Sequence, residues 1–317
     1  MAKVALTGAT GFLGSQMATV LTNAGHEVLG LTRAQPRTPL PWAYEVVDTN
    51  DPDALTHALA GCDAVIHAAI ANDFQNLDSQ AAYRAYPGLT SAVTRSAQAV
   101  GAQPIYISTD WVMEGTTPRA PETSIGRPVN TYGYLKALGE QVIRDLAPET
   151  GAIVRIGGVM GRHQLQASMP RTQDVGFGYF VASIVDSLRA GQPYTVFDGE
   201  GVNLIATPSL ASEIAATINR VIERKATGCF HAVADDAIHR KDLALLVCAV
   251  YGFDPALIVT GPPDASQRFS EPVPVDTSLD NTRVKEVLGV GAVSVRDLVE
   301  AFREEEDGGL HPVTPLH

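Results

Sequence analysis

The chain has 317 residues, of which 45% are hydrophobic and 18% are charged, and its formal net charge is −12. This apolar content supports a large core and excludes a disordered chain, and the length predicts two lobes. The acidic balance, without a long basic run, argues against a nucleic-acid partner or an anionic membrane surface.

The cysteines and the N-terminal residues indicate the cellular compartment in which the protein is expected. Three scattered cysteines form neither a disulfide framework nor a metal-binding spacing, which favours a reducing environment. The chain enters an apolar strand pattern at once, leaving no room for a signal peptide, and its longest apolar run is too short to span a bilayer. We therefore expect a soluble cytoplasmic protein, with no membrane partner and no bound metal.

The first half of the chain alternates short β-branched runs with longer helical patterns, which predicts βαβ units. Strands are predicted over residues 4–6, 28–31, 44–47, 64–68, 105–108 and 152–156, and helices over 12–23 and 135–146. Because such crossovers are right-handed, the series predicts an α/β fold with a Rossmann-like, doubly wound parallel sheet. Ligands of such sheets bind at the carboxyl ends of the strands.

After Gly161 this rhythm breaks. We predict an NAD(P)-binding Rossmann domain over 1–165, with a return segment near 195–222, and a smaller mixed α/β substrate lobe over most of 166–317. In the second half, helices are predicted over 180–188, 210–221, 241–251, 282–288 and 295–303, and a strand over 230–233. The tail from Glu304 is acidic and contains Gly and Pro, which predicts a frayed end.

A glycine-rich segment, 7–14, joins the first predicted strand to the first helix. Glycines at this junction let the backbone turn tightly and approach a pyrophosphate, which then lies on the helix N-terminus. Three glycines spaced by three at the first βα junction favour dinucleotide binding over an ordinary turn. The candidate cofactor-binding residues of this loop are Gly8, Thr10, Gly11, Phe12 and Leu13.

The end of the second strand indicates which nucleotide is used. An acidic residue there would bind the ribose 2′-hydroxyl of NAD, but this chain has Arg33 and Arg37 and no carboxylate until Glu45. A guanidinium suits a 2′-phosphate, so NADP is favoured over NAD, the alternative being that both arginines are solvated loop residues. Asp48 is a candidate for the adenine amino group, or else a solvated turn residue.

Tyr132 and Lys136 lie four residues apart at a predicted helix start, hence on one helix face. Thr109 lies at the end of the fifth strand, where active sites of open α/β sheets collect. A phenol with a pKa of about 10 is a poor acid–base catalyst at pH 7, but a nearby lysine and a cationic nicotinamide favour the phenolate. The three residues are therefore the predicted catalytic group.

Motifs along nearly the whole chain resemble an extended short-chain dehydrogenase/reductase of the NAD-dependent epimerase/dehydratase superfamily. The nearest subfamily is the dTDP-4-dehydrorhamnose reductase-like sugar-nucleotide enzymes. The matching segments are 7–14, 47–48, 67–69, 107–112, 132–136 with 139–140, and 154–161. The resemblance implies that Tyr132 is the proton donor, Lys136 holds the nicotinamide ribose and Thr109 hydrogen-bonds the substrate oxygen. It also implies that Ala68, Ala69 and Tyr132 adjoin the cofactor.

Three departures from that pattern concern the substrate. Residues 201–204 lack the basic residue that often binds a nucleotide diphosphate, and Tyr179 with Phe180 replaces an Asn-Phe pair. Arg268 matches a family arginine that can meet a phosphate, although it can also be read as a surface ion-pair residue. Asp110 and Trp111 follow Thr109 where sugar dehydratases have an Asp-Glu pair; because tryptophan does not titrate, dehydration is disfavoured.

The function predicted from these residues is an NADP-dependent reductase that transfers hydride to a ketone. Its substrate is expected to be a sugar, a sugar nucleotide or a related small carbonyl compound, bound partly by Asp110, Trp111 and Arg268. The alternatives are a sugar-nucleotide epimerase and a non-catalytic NADP-binding regulatory subunit. A homodimer is compatible with the sequence, which does not determine the oligomeric state.

Overall fold

The computed structural model describes residues 1–70, 78–166 and 173–310. Its strands are β1 (Lys3–Thr7), β2 (Glu27–Thr32), β3 (Ala43–Val46), β4 (Ala64–His67), β5 (Gln103–Thr109), β6 (Ala152–Ile156), β7 (Val159–Met160), β8 (Tyr194–Phe197), β9 (Ile205–Ala206), β10 (Ser209–Leu210), β11 (Gly228–His231), β12 (Ile238–His239) and β13 (Ile258–Gly261). Seven of them form one sheet in the order β11-β6-β5-β4-β1-β2-β3, and every neighbouring pair in it is parallel. The predicted doubly wound parallel sheet is confirmed.

Helices cover both faces of this sheet. They are α1 (Phe12–Asn23), α2 (Pro52–Ala58), α3 (Ser79–Tyr83), α4 (Leu89–Ala99), α5 (Thr131–Leu146), α6 (Phe180–Arg189), α7 (Ala211–Arg224), α8 (Arg240–Tyr251), α9 (Thr282–Leu288) and α10 (Val295–Gly308). Helices α1 and α7 pack together over one face, and α2, α4 and α5 over the other. Because both faces are covered, the central strands are continuous apolar runs, and Val4, Ala5 and Leu6 of β1 have no exposed surface.

Strand register brings the chemically active residues to one edge of the sheet. Thr7 is level with His67 of β4, and Thr109 is level with Ile156 of β6. The glycine-rich loop and the end of β5 therefore open into the same crevice. This is the edge at which the strand pattern predicts ligand binding.

The second half of the chain contributes to both lobes. Its own core packs α6, α8 and α10 around β8 and β13. Strand β11 instead joins the central sheet beside β6, so the chain returns to the first lobe at Gly228–His231 as well as through α7. That strand lies beyond the predicted return segment near 195–222, and the division of the chain at 165/166 stays a prediction.

The predicted fraying from Glu304 is wrong as far as Gly308, because α10 continues through these residues. Glu306 accepts hydrogen bonds from Arg162, Arg189 and Tyr251, and Glu305 accepts one from Ser212. These long-range contacts hold the acidic turn against the body of the protein. Residues 311–317, the rest of the predicted tail, lie outside the described residues.

Among the described residues, no helix is both long enough and apolar enough to cross a membrane.

Candidate active site

The glycine-rich loop forms a cradle in which side chains have no room. Gly8 has a φ of +74°, and a Cβ there would lie 3.0 Å from the backbone of Ala69. A Cβ on Gly14 would lie 2.0 Å from the Gly8 carbonyl oxygen, and the Gly11 amide donates to that same oxygen at 2.9 Å. Glycine is therefore required for the loop to turn and for α1 to approach it closely.

The N-terminus of α1 is free to bind an anion. Gly11 caps the helix without a side-chain hydrogen bond, and the first turn carries no acidic residue. Backbone amides in the first turn of a helix lack intrahelical partners, and the helix dipole favours negative charge there. Together with the cradle, this arrangement fits the pyrophosphate of a dinucleotide.

A buried histidine joins the ends of β1 and β4 beneath the cradle. The Nδ1 atom of His67 lies 2.8 Å from the Thr7 hydroxyl, which also accepts a hydrogen bond from the Ala69 amide at 3.3 Å. Burial, and secondarily the charge of Lys136, lowers the pKa of His67 to about 3. The ring is therefore neutral, and the Thr7 hydroxyl that it contacts links the end of β1 to Ala69.

Arg33 and Arg37 lie on the exposed segment that follows β2. Within the described part of the chain, neither guanidinium is in an ion pair, so both are available to an anionic ligand. Asp48 is also exposed, and its Oδ1 accepts hydrogen bonds from the backbone amide and the side-chain amide of Asn50, each at 2.9 Å. These bonds lower the pKa of Asp48. The adenine contact of Asp48 stays a prediction.

Helix α5 begins earlier than the predicted 135, because Asn130 caps it by accepting a hydrogen bond from the Gly133 amide at 2.9 Å. Tyr132 is therefore in the first turn and Lys136 one turn later. A Cβ on Gly133 would lie 2.2 Å from the Trp111 carbonyl oxygen, so this glycine lets the helix contact the segment after β5.

Lys136 is only 4% exposed. Its ammonium donates to the Ile107 carbonyl of β5 and lies 4.3 Å from the centre of the Tyr106 ring. Burial lowers the pKa of Lys136 to about 7, although the charge of Glu140 opposes this effect. A lysine whose pKa is lowered toward neutral by burial, beside the end of a strand that also carries Thr109, is a candidate functional group.

Tyr132 is half-buried among aromatic residues. Its ring meets that of Trp111 edge-on, with the centroids 6.1 Å apart. Burial raises the pKa values of Tyr86 and Tyr106 above the usual range, and Tyr132 raises them further. Those two phenols are therefore neutral at pH 7.

Thr109 lies at the end of β5 and is 6% exposed. Its hydroxyl donates to Oδ1 of Asp110 at 3.0 Å and accepts from the Trp111 amide at 3.3 Å. The other oxygen of Asp110 accepts from the Thr277 hydroxyl at 2.6 Å. Asp110 thus lies behind Thr109, with 4% of its surface exposed, and its contact with a substrate stays a prediction.

An aromatic wall continues from Tyr132 toward the second lobe. Phe269 meets Trp111 edge-on at 5.9 Å between ring centroids, and a Cβ on Gly176 would lie 2.9 Å from the Trp111 ring. Arg268, next to Phe269, is exposed, and its Nε donates to the Pro263 carbonyl at 3.4 Å. The wall limits the space beside Tyr132 and carries the arginine at its end.

The structure thus groups Gly8, Gly11 and Ala69 in the cradle, and Thr109 and Lys136 at the end of β5. Sequence reasoning missed Thr277, which donates a hydrogen bond to Asp110, and Asn203, whose side-chain oxygen lies 3.3 Å from the Thr277 hydroxyl. No local pattern marks these two residues, because each has its partner in a distant part of the sequence. Across the described residues, no cluster of His, Cys, Asp and Glu is arranged to hold a metal.

Comparison with known proteins places these features in a family. Residues 2–307 match the family described as "RmlD substrate binding domain". The chain is 29% identical over 261 residues to the probable low-salt glycan biosynthesis reductase Agl14 of Haloferax volcanii, covering 80% of this chain and 81% of that one. It is 28% identical over 279 residues to dTDP-4-dehydrorhamnose reductase of Mycobacterium tuberculosis, covering 86% and 82%.

The fold comparison agrees. A crystal structure of dTDP-4-dehydrorhamnose reductase from Bacillus anthracis in complex with NADP superposes with a TM-score of 0.77. The match covers 96% of this chain and 99% of that one at 19% identity, and at this identity it supports a shared fold.

Proposed function

The chain belongs to the RmlD substrate binding domain family, within the extended short-chain dehydrogenase/reductases, and from this premise we propose that it reduces a ketone of a sugar nucleotide with NADPH. Its class is that of an NAD(P)-dependent oxidoreductase. The observation that carries the proposal is the crevice in which the glycine cradle, Thr109, Tyr132 and Lys136 meet. A protein that only sensed the nucleotide would need no proton donor there, which argues against a non-catalytic subunit.

The cofactor would be held by the two strand-end loops. The backbone of Gly8, Gly11 and Ala69 would adjoin the pyrophosphate, and the Phe12 and Leu13 amides would bind it at the N-terminus of α1. Arg33 is proposed to bind the 2′-phosphate, Asp48 the adenine and Lys136 the nicotinamide ribose. When bound, reduced nicotinamide supplies the hydride.

The protein's own residues would supply orientation and the proton. Tyr132 would donate its phenolic proton to the substrate oxygen, Thr109 would hydrogen-bond the same oxygen, and Lys136 would favour the phenolate left behind. The aromatic wall of Trp111 and Phe269 would exclude water from one side of this oxygen. Holding the carbonyl at attack distance would supply much of the rate enhancement.

The proposed substrate class rests on the relatives and on Arg268. The relatives named above include enzymes of dTDP-4-dehydrorhamnose reduction. Arg268 lies next to Phe269 of the aromatic wall and is exposed; its Nε donates to the Pro263 carbonyl, and among the described residues no carboxylate pairs with its guanidinium, which would therefore be available to a substrate phosphate. Residues 201–204 offer no second basic group. We therefore propose that Arg268 is the phosphate contact of this chain.

The decisive test is cofactor stoichiometry. With a panel of keto-sugar nucleotides and the matching free keto-sugars, we expect one NADPH oxidised per product formed, followed at the reduced-nicotinamide absorbance and by product chromatography. A nucleotide substrate should be preferred because of Arg268. Product formed with unconsumed cofactor would identify an epimerase instead, and nucleotide binding without turnover on any substrate would favour the regulatory subunit.

The nucleotide preference provides a second prediction. NADPH should bind at least about tenfold more tightly than NADH, equivalent to about 1.4 kcal/mol, because Arg33 is charged and exposed and forms no ion pair with any other described residue. Arg33→Ala should remove most of this difference by weakening NADPH binding alone, measured by fluorescence titration of both nucleotides. Arg95→Ala, an exposed arginine of α4, serves as the control. Equal dissociation constants in the unaltered protein would refute the NADP assignment.

A further inference from the structure

The carboxylate of Asp110 lies between two hydroxyl groups from different lobes. Thr109 donates to its Oδ1 at 3.0 Å, and Thr277 donates to its Oδ2 at 2.6 Å. The residue is 4% exposed, and a Cβ on Gly157 would come within 3.1 Å of Oδ2, so the protein closes this side completely. The Asp110 carboxylate therefore accepts hydrogen bonds from Thr109 and Thr277 in a closed environment.

This arrangement decides what the Thr109 hydroxyl can do. A hydroxyl has one proton, and here that proton points to the ionised Asp110, while the Trp111 amide donates to the same oxygen at 3.3 Å. In this state Thr109 has no proton for a substrate carbonyl, which can only accept. If Asp110 carries a proton, it can donate to Thr109, and the Thr109 proton is released toward the crevice.

The other side of the carboxylate can accommodate the same change. The Thr277 hydroxyl also lies 3.3 Å from Oδ1 of Asn203 and 3.5 Å from the Ile205 carbonyl. Its proton can therefore turn to either acceptor when Asp110 is neutral. Both hydroxyl partners of Asp110 thus have an alternative arrangement that needs no movement of the backbone.

We propose that Asp110 is a positioning residue whose protonation sets the direction of the Thr109 hydroxyl, the neutral acid being the form that lets Thr109 bind the substrate oxygen. This inference rests on the proposed function, because it takes Thr109 to contact the carbonyl. The neutral form is accessible, since burial raises the pKa of Asp110 to about 6 against the opposing effect of the Thr277 and Thr109 hydrogen bonds.

Ionisable groups on the surrounding elements have partners of their own. They are Tyr132 and Lys136 on α5, Arg155 on β6 and Asp276 beside Thr277. Lys136 donates to the Ile107 carbonyl, Arg155 is paired with Glu140, and Asp276 accepts from the Ser278 amide. These three contacts are all directed to atoms other than those of the Asp110 carboxylate.

The test compares the pH dependence of kcat/KM in the full chain and in Asp110→Asn. The unaltered enzyme should lose activity as pH rises through the Asp110 pKa. An asparagine reproduces the neutral acid, because its amide can donate to Thr109 while its oxygen accepts from Thr277. For each protein we take the ratio of kcat/KM at pH 8 to kcat/KM at pH 6. This ratio should be at least about tenfold larger for Asp110→Asn than for the unaltered enzyme.

A second variant and a control separate this role from others. Thr277→Val removes a donor to the carboxylate, so it should move the alkaline limb of the pH profile, the fall in kcat/KM as pH rises, to higher pH. Asp276→Asn should leave this limb in place. An unchanged limb in both Asp110→Asn and Thr277→Val would overturn the proposal. An unchanged limb in Asp110→Asn with a raised KM would instead assign Asp110 to direct substrate contact.

A measurement without substrate distinguishes failure of this inference from failure of the proposed function. The pKa of Asp110 rises from its usual 3.8 to about 6 in the folded chain, so the stability that the neutral acid contributes is lost as pH increases across that interval. The Tm of the unaltered protein should fall relative to that of Asp110→Asn between these pH values. A constant difference in Tm would contradict the inference even if no substrate is reduced.

Discussion

Tyr132→Phe should lower kcat by at least about 100-fold and leave the NADPH dissociation constant unchanged. The substitution removes the proposed proton donor but keeps the ring that packs edge-on against Trp111 at 6.1 Å. The local packing is therefore preserved while the hydroxyl is lost. Single-turnover oxidation of NADPH measures the chemical step, and fluorescence titration measures the binding of the nucleotide.

Tyr134→Phe is the matched control, because Tyr134 lies in the same helix turn but is 56% exposed. It should keep full activity. If Tyr132→Phe also kept full activity, Tyr132 would not be the proton donor and the proposed reduction mechanism would be wrong. If it lost nucleotide binding in parallel with activity, the hydroxyl of Tyr132 would serve cofactor binding and the loss of activity would not identify it as the proton donor.

Glu140→Gln should lower the free energy of unfolding by about 3–5 kcal/mol. The Glu140 carboxylate accepts two hydrogen bonds from Arg155, each at 2.8 Å, and one from Ser108 at 2.6 Å. Arg155 has no exposed surface, so the substitution leaves its charge buried without a counter-charge. Urea unfolding at pH 7 measures the loss, and a similar midpoint in both proteins would contradict it.

The ion pair of Glu140 and Arg155 also predicts how the free energy of unfolding depends on pH. Burial acts to raise the pKa of Glu140, but the hydrogen bonds and charge of Arg155 outweigh it and hold the pKa below the usual value. The stabilisation is therefore present above the normal glutamate pKa and is lost as pH falls through the lowered one. Arg144→Ala is the control: Arg144 also contacts Glu140 but is 40% exposed, so its loss should cost about 0–1 kcal/mol.

The features that sequence alone determined are local ones. Continuous apolar runs separated by helical patterns were enough to predict the parallel sheet. A strand that helices cover on both faces is apolar at successive positions, whereas a strand with one solvated face alternates apolar and polar residues. The glycine spacing was enough to predict the cradle, because Gly8 needs a left-handed φ and Gly14 lies against the Gly8 carbonyl. In both cases the cause lies within a few residues of the pattern.

The tertiary structure decided which groups are buried together and therefore how they behave. Burial lowers the pKa of Lys136, which β5 and Tyr106 enclose, and burial raises the pKa of Asp110 although the Thr277 and Thr109 hydroxyls oppose the rise. The acidic last turns of α10 are held in place because Arg162, which is distant in sequence, donates a hydrogen bond to Glu306. Charge and solvation depend on contacts between distant segments, and a linear pattern records no such distances.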